Sequence, residues 1–202
     1  MKKKYAFLDR DGTLIHEPTD TFQIDSLDKL KILDGVIVGL QKLIALGFKL
    51  VMISNQDGLG TASFPQKDFE VPQERMLEIF RENGIRFDKI FICPHFPKEN
   101  CACRKPKLGL LDEKFRASID LERSLMYGDR ETDRLFALNL GIKFVQVPTN
   151  GHFPKIGTDY ATYVRNLPAG GLGGEDCTDF GRDLRRASLK SLKKILAASE
   201  KK

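Results

Sequence analysis

Short apolar runs alternate along this chain with stretches whose apolar residues recur at helical spacing, and this alternation constrains the fold most strongly. The runs with the pattern of buried strands are 5–8, 48–53, 90–92, 124–127 and 144–147. The stretches with helical spacing are 34–46, 73–83, 108–117 and 132–140. Short strands that alternate with helices form a mainly parallel sheet with helices on both faces. The sequence therefore predicts a doubly wound α/β domain.

Polar residues gather at the ends of three predicted strands. The residues that follow the first, second and fourth strands are Asp9 and Asp11, Ser54 and Asn55, and Asp129. In open α/β sheets, ligands bind at the edge formed by the carboxyl ends of the strands. Any one of these residues could be a turn or cap residue. Their concentration at one edge predicts a functional site.

The chemistry of these side chains suits a metal and a phosphate group. Asp9 and Asp11, joined by Asp129 from another strand, form an oxygen-rich set of the kind that Mg²⁺ prefers. Arg104 and Lys105 can hold a multiply charged anion. We therefore expect a magnesium site beside an anion site.

In order and spacing these residues resemble the four motifs of haloacid-dehalogenase-superfamily phosphatases. The motifs here are Asp9-x-Asp11-Gly12-Thr13, Ser54, Lys105 and Gly128-Asp129-x-x-x-Asp133. The resemblance implies a Rossmann-like fold with no large cap domain. It also implies that Asp9 is a nucleophile that forms an aspartyl-phosphate, and that Asp11 is the general acid and base.

The resemblance extends to the remaining site residues. Those expected to bind the phosphate or substrate are Ser54, Asn55, Arg104 and Lys105. Asp9, Asp129 and the backbone carbonyl of Asp11 are expected to ligate Mg²⁺. Asp133 is expected to support the site rather than to bind the metal.

Three of the four cysteines lie within eleven residues, close to a histidine. The cluster Cys93, His95, Cys101 and Cys103 is a complete tetrahedral ligand set for structural zinc. Because its one-residue gaps are shorter than usual, the spacing alone leaves metal-free cysteines as an alternative. A Cys-x-His…Cys-x-Cys loop before Arg-Lys-Pro resembles histidinol-phosphate and heptose-bisphosphate phosphatases, which implies a bound zinc. Clustered cysteines also predict a cytoplasmic protein rather than a secreted disulfide framework.

The segment after Ser54 resembles the histidinol-phosphate phosphatases of bifunctional histidine-biosynthesis enzymes, from Asn55 to Thr61 and from Ser63 to Pro65. The resemblance implies hydrolysis of L-histidinol phosphate. The heptose-bisphosphate enzymes, the nearest alternative, typically have Ser-Gly in place of Asp57-Gly58. Glu17 could pair with the amine of histidinol phosphate, although a solvated Glu17 is the favoured interpretation. With three histidines in the sequence, we expect no dehydratase domain like that of the bifunctional enzymes.

Three segments are expected: a phosphatase domain over 1–168 with a zinc loop at 93–103, a Gly-rich linker over 169–181, and a basic helical tail over 182–202. Eight of the 33 basic residues and two of the 28 acidic residues lie in the tail, so the rest is close to neutral. The tail could be a helix that docks on its own domain or on a second subunit, it could fray, or it could attach to a membrane surface or nucleic acid. It has no aromatic residue for base stacking. We therefore expect a small phosphate monoester as the partner, and neither a nucleic acid nor a membrane; a DNA 3′-phosphatase is the alternative of a different class.

Overall fold

The computed structural model describes residues 1–157 and 159–166. The predicted linker 169–181 and tail 182–202 lie outside the described residues. The strands are β1 (Tyr5–Leu8), β2 (Lys49–Asn55), β3 (Lys89–Cys93), β4 (Leu125–Gly128) and β5 (Lys143–Gln146). The helices are α1 (Val36–Ala45), α2 (Gln66–Glu82), α3 (Glu113–Ala117), α4 (Glu131–Leu140) and α5 (Tyr160–Asn166).

The five strands form one sheet in the order β3-β2-β1-β4-β5, and every neighbouring pair is parallel. This confirms the predicted doubly wound sheet. Strand β1 is central, and the chain leaves it at Asp9, whose backbone N–H donates to the Tyr127 carbonyl of β4 at 2.9 Å. Since all strands run the same way, their carboxyl ends meet at one edge, beside β1.

Strand β1 is apolar throughout because both of its faces are covered. Ala6 and Leu8 belong to the core that packs against α1 and α2, whereas Tyr5 and Phe7 belong to the core against α3 and α4. Successive side chains of a strand point to opposite faces, so a strand buried on both sides has no polar alternation. No large cap domain is evident among the described residues.

Two helix boundaries differ from the prediction by more than two residues. Helix α2 begins at Gln66, seven residues earlier than expected, and contains Pro72. The buried ring of Phe69 packs edge-on against Phe64 at 6.0 Å, so tertiary contacts stabilise this first turn despite the proline. Helix α3 begins only at Glu113, because the side chain of Asp112 accepts the Phe115 N–H at 2.7 Å and caps the helix there.

None of the helices in the described part of the chain combines the length and the apolar character needed to cross a bilayer.

Candidate active site

The carboxyl edge of the sheet forms a pocket beside the end of β1. Its lining includes all the predicted catalytic and phosphate-binding residues: Asp9, Asp11, Ser54, Asn55, Arg104 and Lys105. Three residues that sequence reasoning did not select complete it, namely Arg130, Glu131 and Thr132. Residues from four distant parts of the chain therefore converge on one site.

Lys105 is the buried cation at the centre of this pocket. Its Nζ lies 2.6 Å from Asp9 Oδ1 and 2.6 Å from Asp133 Oδ1, and it donates to the Ile53 carbonyl at 2.9 Å. Burial favours the neutral amine, but the charges of Asp133 and Asp9 overcome this and raise the pKa of Lys105. Lys105 is thus held protonated beside the predicted nucleophile.

Three carboxylates lie close together at this site, and two of them contact the lysine. Asp9, Asp129 and Asp133 each place an oxygen within 4.8 Å of the others. Burial and the charge of Asp9 raise the pKa of Asp129, and the same two causes raise the pKa of Asp133 to about 7. One lysine does not neutralise three carboxylates, so this oxygen-rich set fits an additional divalent cation. The Asp133 carboxylate also accepts the Arg130 backbone N–H at 3.1 Å.

Asp129 is held by its neighbours and by the absence of a side chain at Gly12. Its two oxygens accept hydrogen bonds from Thr13 Oγ1 at 3.3 Å and from Thr149 Oγ1 at 2.8 Å. Gly12 has a φ of +74°, and a Cβ at this position would lie 2.5 Å from Asp129 Oδ2. The glycine therefore permits the turn after β1 and also leaves room for the Asp129 carboxylate.

We expect Gly12→Ala to displace the Asp129 carboxylate and to weaken Mg²⁺ binding at the three carboxylates by at least about 10-fold. Titration with Mg²⁺ would measure the affinity, and thermal unfolding would show whether the fold is kept. Gly141→Ala is the matched control, since Gly141 has a φ of +80° but a Cβ added there would meet no atom within 4 Å. Equal Mg²⁺ affinity of the two variants would contradict this role of Gly12.

The carboxylate of Asp11 points away from the three crowded carboxylates. Its Oδ1 accepts from Arg10 Nη1 at 2.8 Å, and its Oδ2 accepts from Gln56 Nε2 at 2.5 Å. Burial raises the pKa of Asp11, the charge of Arg10 opposes this, and the charge of Asp9 adds to it. The Asp11 side chain is therefore outside the group formed by Asp9, Asp129 and Asp133.

Two predicted phosphate-binding residues are engaged by protein groups. Asn55 holds the backbone of Lys105, since its Oδ1 accepts the Lys105 N–H at 2.9 Å and its Nδ2 donates to the Lys105 carbonyl at 3.3 Å. Arg104 forms an ion pair with Asp57 and donates to the His95 carbonyl at 3.1 Å. Asn55 thus positions the lysine, and Arg104 joins the cysteine loop to the segment after β2. The spacing of the sequence motifs predicted neither the pairing of Asn55 with Lys105 nor that of Arg104 with Asp57.

A second pocket adjoins the first and is lined by acidic side chains. The two pockets share Asp11, Asn55 and Arg130, and the second one adds Glu17, Thr21, Phe22, Gln23, Gln56, Asp57 and Phe64. The favoured expectation of a solvated Glu17 was wrong, because Glu17 is 5% exposed and its carboxylate pairs with the Arg130 guanidinium. Burial raises the pKa of Glu17, and the charge of Arg130 opposes the rise.

The cysteine cluster has the compact geometry of a metal site. Cys93, Cys101 and Cys103 are separated by 3.3–3.6 Å between sulfurs, and His95 Nδ1 lies 3.1 Å from Cys103 Sγ. A disulfide needs about 2.05 Å, whereas tetrahedral zinc with bonds of about 2.3 Å has sulfur–sulfur edges of roughly 3.8 Å. Without a cation, burial raises the pKa of Cys93 to about 12 and also raises the pKa of Cys103, whereas hydrogen bonds from Cys103 and from the Arg104 N–H outweigh burial and lower the pKa of Cys101 to about 7. The four side chains therefore fit a tetrahedral metal ion.

A central parallel strand that ends in this aspartate pair, beside a buried lysine, is the arrangement that the sequence resemblance to phosphatases of the haloacid dehalogenase superfamily implies. The chain belongs to the polynucleotide kinase 3 phosphatase family, whose model matches residues 4–151.

The chain is also similar to curated proteins of histidine biosynthesis. The chain is 54% identical over 144 residues to the histidine biosynthesis bifunctional protein HisB of Campylobacter jejuni subsp. doylei, and 51% identical over 146 residues to that of Legionella pneumophila. These matches cover 71% and 72% of this chain and 41% of each relative. The chain thus spans less than half the length of these relatives.

Among solved structures, a D,D-heptose 1.7-bisphosphate phosphatase from B. bronchiseptica, complexed with magnesium and phosphate, is similar with a TM-score of 0.66 and 27% identity. That match covers 91% of this chain and 99% of the neighbour.

Proposed function

We propose that this chain is a Mg²⁺-dependent histidinol-phosphatase, which hydrolyses L-histidinol phosphate to L-histidinol and phosphate. The observation that carries the proposal is the pair of adjoining pockets. One contains the Asp9–Lys105 pair, and the other is lined by the carboxylates of Glu17 and Asp57. A substrate with a phosphate at one end would place an amine at its other end in the second pocket, where the amine would compete with Arg130 for Glu17 and with Arg104 for Asp57. The similarity to histidine-biosynthesis proteins supports the same substrate.

The proposed reaction has two phosphoryl-transfer steps. In the first, an Asp9 carboxylate oxygen bonds to phosphorus, the ester P–O bond breaks, and the Asp11 carboxyl gives its proton to the leaving alkoxide. In the second, Asp11 takes a proton from water as the water oxygen bonds to phosphorus, and the bond to Asp9 breaks to release phosphate. Both catalytic side chains are regenerated.

Charge repulsion is the main obstacle to the first step, because a carboxylate must approach a phosphate dianion. Lys105 Nζ, 2.6 Å from Asp9 Oδ1, lies where it can attract phosphoryl oxygens, with the hydroxyl of Ser54 on the same pocket wall. Asp9, Asp129 and the Asp11 carbonyl are the groups that would hold Mg²⁺. When bound, Mg²⁺ supplies charge neutralisation and polarises a phosphoryl oxygen.

The four-residue cysteine cluster is proposed to hold structural zinc. Its four ligand positions are all filled by protein, so it has no open position for chemistry. The cluster ends at Cys103, directly before Arg104 and Lys105, and Arg104 donates to the His95 carbonyl within it. The proposed role is to hold the backbone that carries Lys105.

We also infer a cytoplasmic location, because the three cysteines of this cluster are free thiols rather than disulfides.

A phosphate-release assay on L-histidinol phosphate, with and without Mg²⁺, tests the proposed function. D,D-heptose 1,7-bisphosphate is assayed in parallel, because a structural neighbour acts on that compound. A 3′-phosphorylated oligonucleotide is the third substrate, because the chain belongs to the polynucleotide kinase 3 phosphatase family. The highest kcat/KM is expected for histidinol phosphate with Mg²⁺. A higher value for either alternative would overturn the substrate assignment.

We expect Glu17→Gln to raise the KM for histidinol phosphate by about 10-fold, because the neutral amide cannot form the charge-assisted contact that the carboxylate would make to the amine in exchange for Arg130. The KM for p-nitrophenyl phosphate, which has no amine, should not change. Steady-state kinetics on the two substrates measures the difference. Glu122→Gln, at an exposed position, is the matched control. A parallel increase in both KM values would contradict this role of Glu17.

A further inference from the structure

Arg10, between the two catalytic aspartates in the sequence, has a fully buried side chain with 0% exposure. Its guanidinium carbon lies 4.9 Å from the centroid of the Phe69 ring, at the start of α2. Within the described part of the chain, its Nε and Nη2 have no hydrogen-bond partner. Burying a charge without a partner costs free energy. The contacts that Arg10 does make therefore indicate what this buried side chain does.

The close ionic contact of Arg10 is with Asp11. Its Nη1 donates to Asp11 Oδ1 at 2.8 Å and lies 3.4 Å from Gln56 Oε1. Gln56 Nε2 in turn donates to the other Asp11 oxygen at 2.5 Å and to Ser54 Oγ at 2.7 Å. Arg10 and Gln56 therefore hold Asp11 from both sides, and Gln56 ties this arrangement to the phosphate pocket.

Packing fixes Arg10 itself. The ring of Phe69 covers one side of the guanidinium and also packs against Phe64, which lines the second pocket. Phe69 is 5% exposed and Phe64 is 1% exposed, so both rings are confined. The Asp11 carboxylate is thus oriented through Arg10 by helix α2, an element that contributes no residue to the lining of the phosphate pocket.

We propose that Arg10 is a positioning residue for the general acid: together with Gln56 it holds the Asp11 carboxyl in the orientation from which it serves the leaving group. The inference rests on the proposed phosphatase function. Protonation of the leaving oxygen matters for an alkoxide, which is a poor leaving group, and matters little for p-nitrophenolate, which leaves without a proton. A residue that acts only through Asp11 must therefore affect alkyl esters more than aryl esters.

The test compares Arg10→Met with wild type on histidinol phosphate and p-nitrophenyl phosphate, with Mg²⁺ and Zn²⁺ present. The quantity compared is kcat/KM, which covers the steps up to departure of the leaving group and excludes the later attack by water. We expect kcat/KM for the alkyl ester to fall by about 10²-fold and that for the aryl ester by less than about 5-fold. The inhibition constant of inorganic phosphate should not change, since the phosphate pocket is intact.

Three further variants separate positioning from a general effect on the fold. Arg10→Lys, which keeps one charged donor, should recover part of the alkyl-ester activity, and it serves as the main variant if Arg10→Met does not fold. Gln56→Leu, like Arg10→Met, should lower kcat/KM more for the alkyl ester than for the aryl ester. Arg75→Met, at a surface arginine of α2 paired with Glu78 and Glu82, should behave like wild type.

Equal losses on the two esters in the Arg10 and Gln56 variants would overturn the positioning role and leave the phosphatase proposal in place. An Arg10→Met protein with the wild-type kcat/KM for the alkyl ester would also overturn the positioning role and leave the phosphatase proposal in place. A wild-type protein that hydrolyses neither ester would overturn the proposed function and the inference together. If wild type hydrolyses another alkyl phosphate instead of histidinol phosphate, that ester is the comparison substrate, and only the substrate assignment fails.

Discussion

Replacing Asp9 with Asn is expected to abolish phosphate release, with a loss of at least about 10⁴-fold in kcat, as for other essential nucleophiles. The amide cannot form the aspartyl-phosphate. The fold should survive, because Lys105 keeps its contact with Asp133 at 2.6 Å. Removing one of three carboxylates within 4.8 Å also relieves repulsion, so the Tm should not fall.

Activity and thermal unfolding are therefore measured on the same Asp9→Asn preparation. Asp28→Asn, at an exposed site, is the matched control and should retain full activity. A folded Asp9→Asn protein with more than about one hundredth of wild-type kcat would rule out Asp9 as the nucleophile. Loss of activity together with a large fall in Tm would instead indicate a structural role.

Cys103→Ser is expected to remove the zinc and to affect both stability and activity. Cys103 Sγ contacts every other member of the cluster, at 3.3 Å to each of the two sulfurs and 3.1 Å to His95 Nδ1. Structural zinc contributes about 10–16 kcal/mol of binding energy in small zinc domains. Losing a few kcal/mol of this here would lower the Tm by roughly 10 °C. Activity should fall by about 10-fold or more, because the loop no longer holds Arg104 and Lys105.

Elemental analysis, thermal unfolding and phosphate release on Cys103→Ser would measure the three effects. Cys177→Ser is the matched control, since it also removes one thiol from the chain but leaves all four cluster residues, and we expect no change. Wild-type protein prepared with ample zinc that contains well under one zinc per chain would contradict the zinc proposal. Wild-type activity in Cys103→Ser would show that the loop does not need the metal to hold Lys105.

The sheet and the location of the site followed from the sequence because both depend on local patterns. Apolar runs of strand length predicted all five strands, and the polar residues after them predicted the edge where Asp9, Lys105 and Asp129 meet. Helix α2 was the clearest error, since its first turn is stabilised by contacts of Phe69 rather than by the local pattern. The linker and tail expected over residues 169–202 lie outside the described residues and stay predictions.

The partners of the site residues, in contrast, were decided by the tertiary structure. Asn55 holds the backbone of a residue 50 positions away, and Glu17 is buried by its pairing with Arg130, 113 positions away. Such contacts depend on how loops from different strands meet. The spacing of apolar residues along the sequence does not predict this. The sequence alone thus determined which chemical groups gather at the sheet edge, through strand periodicity and the shared direction of parallel strands. Only the tertiary structure decided which group each side chain contacts, because long-range packing sets those distances.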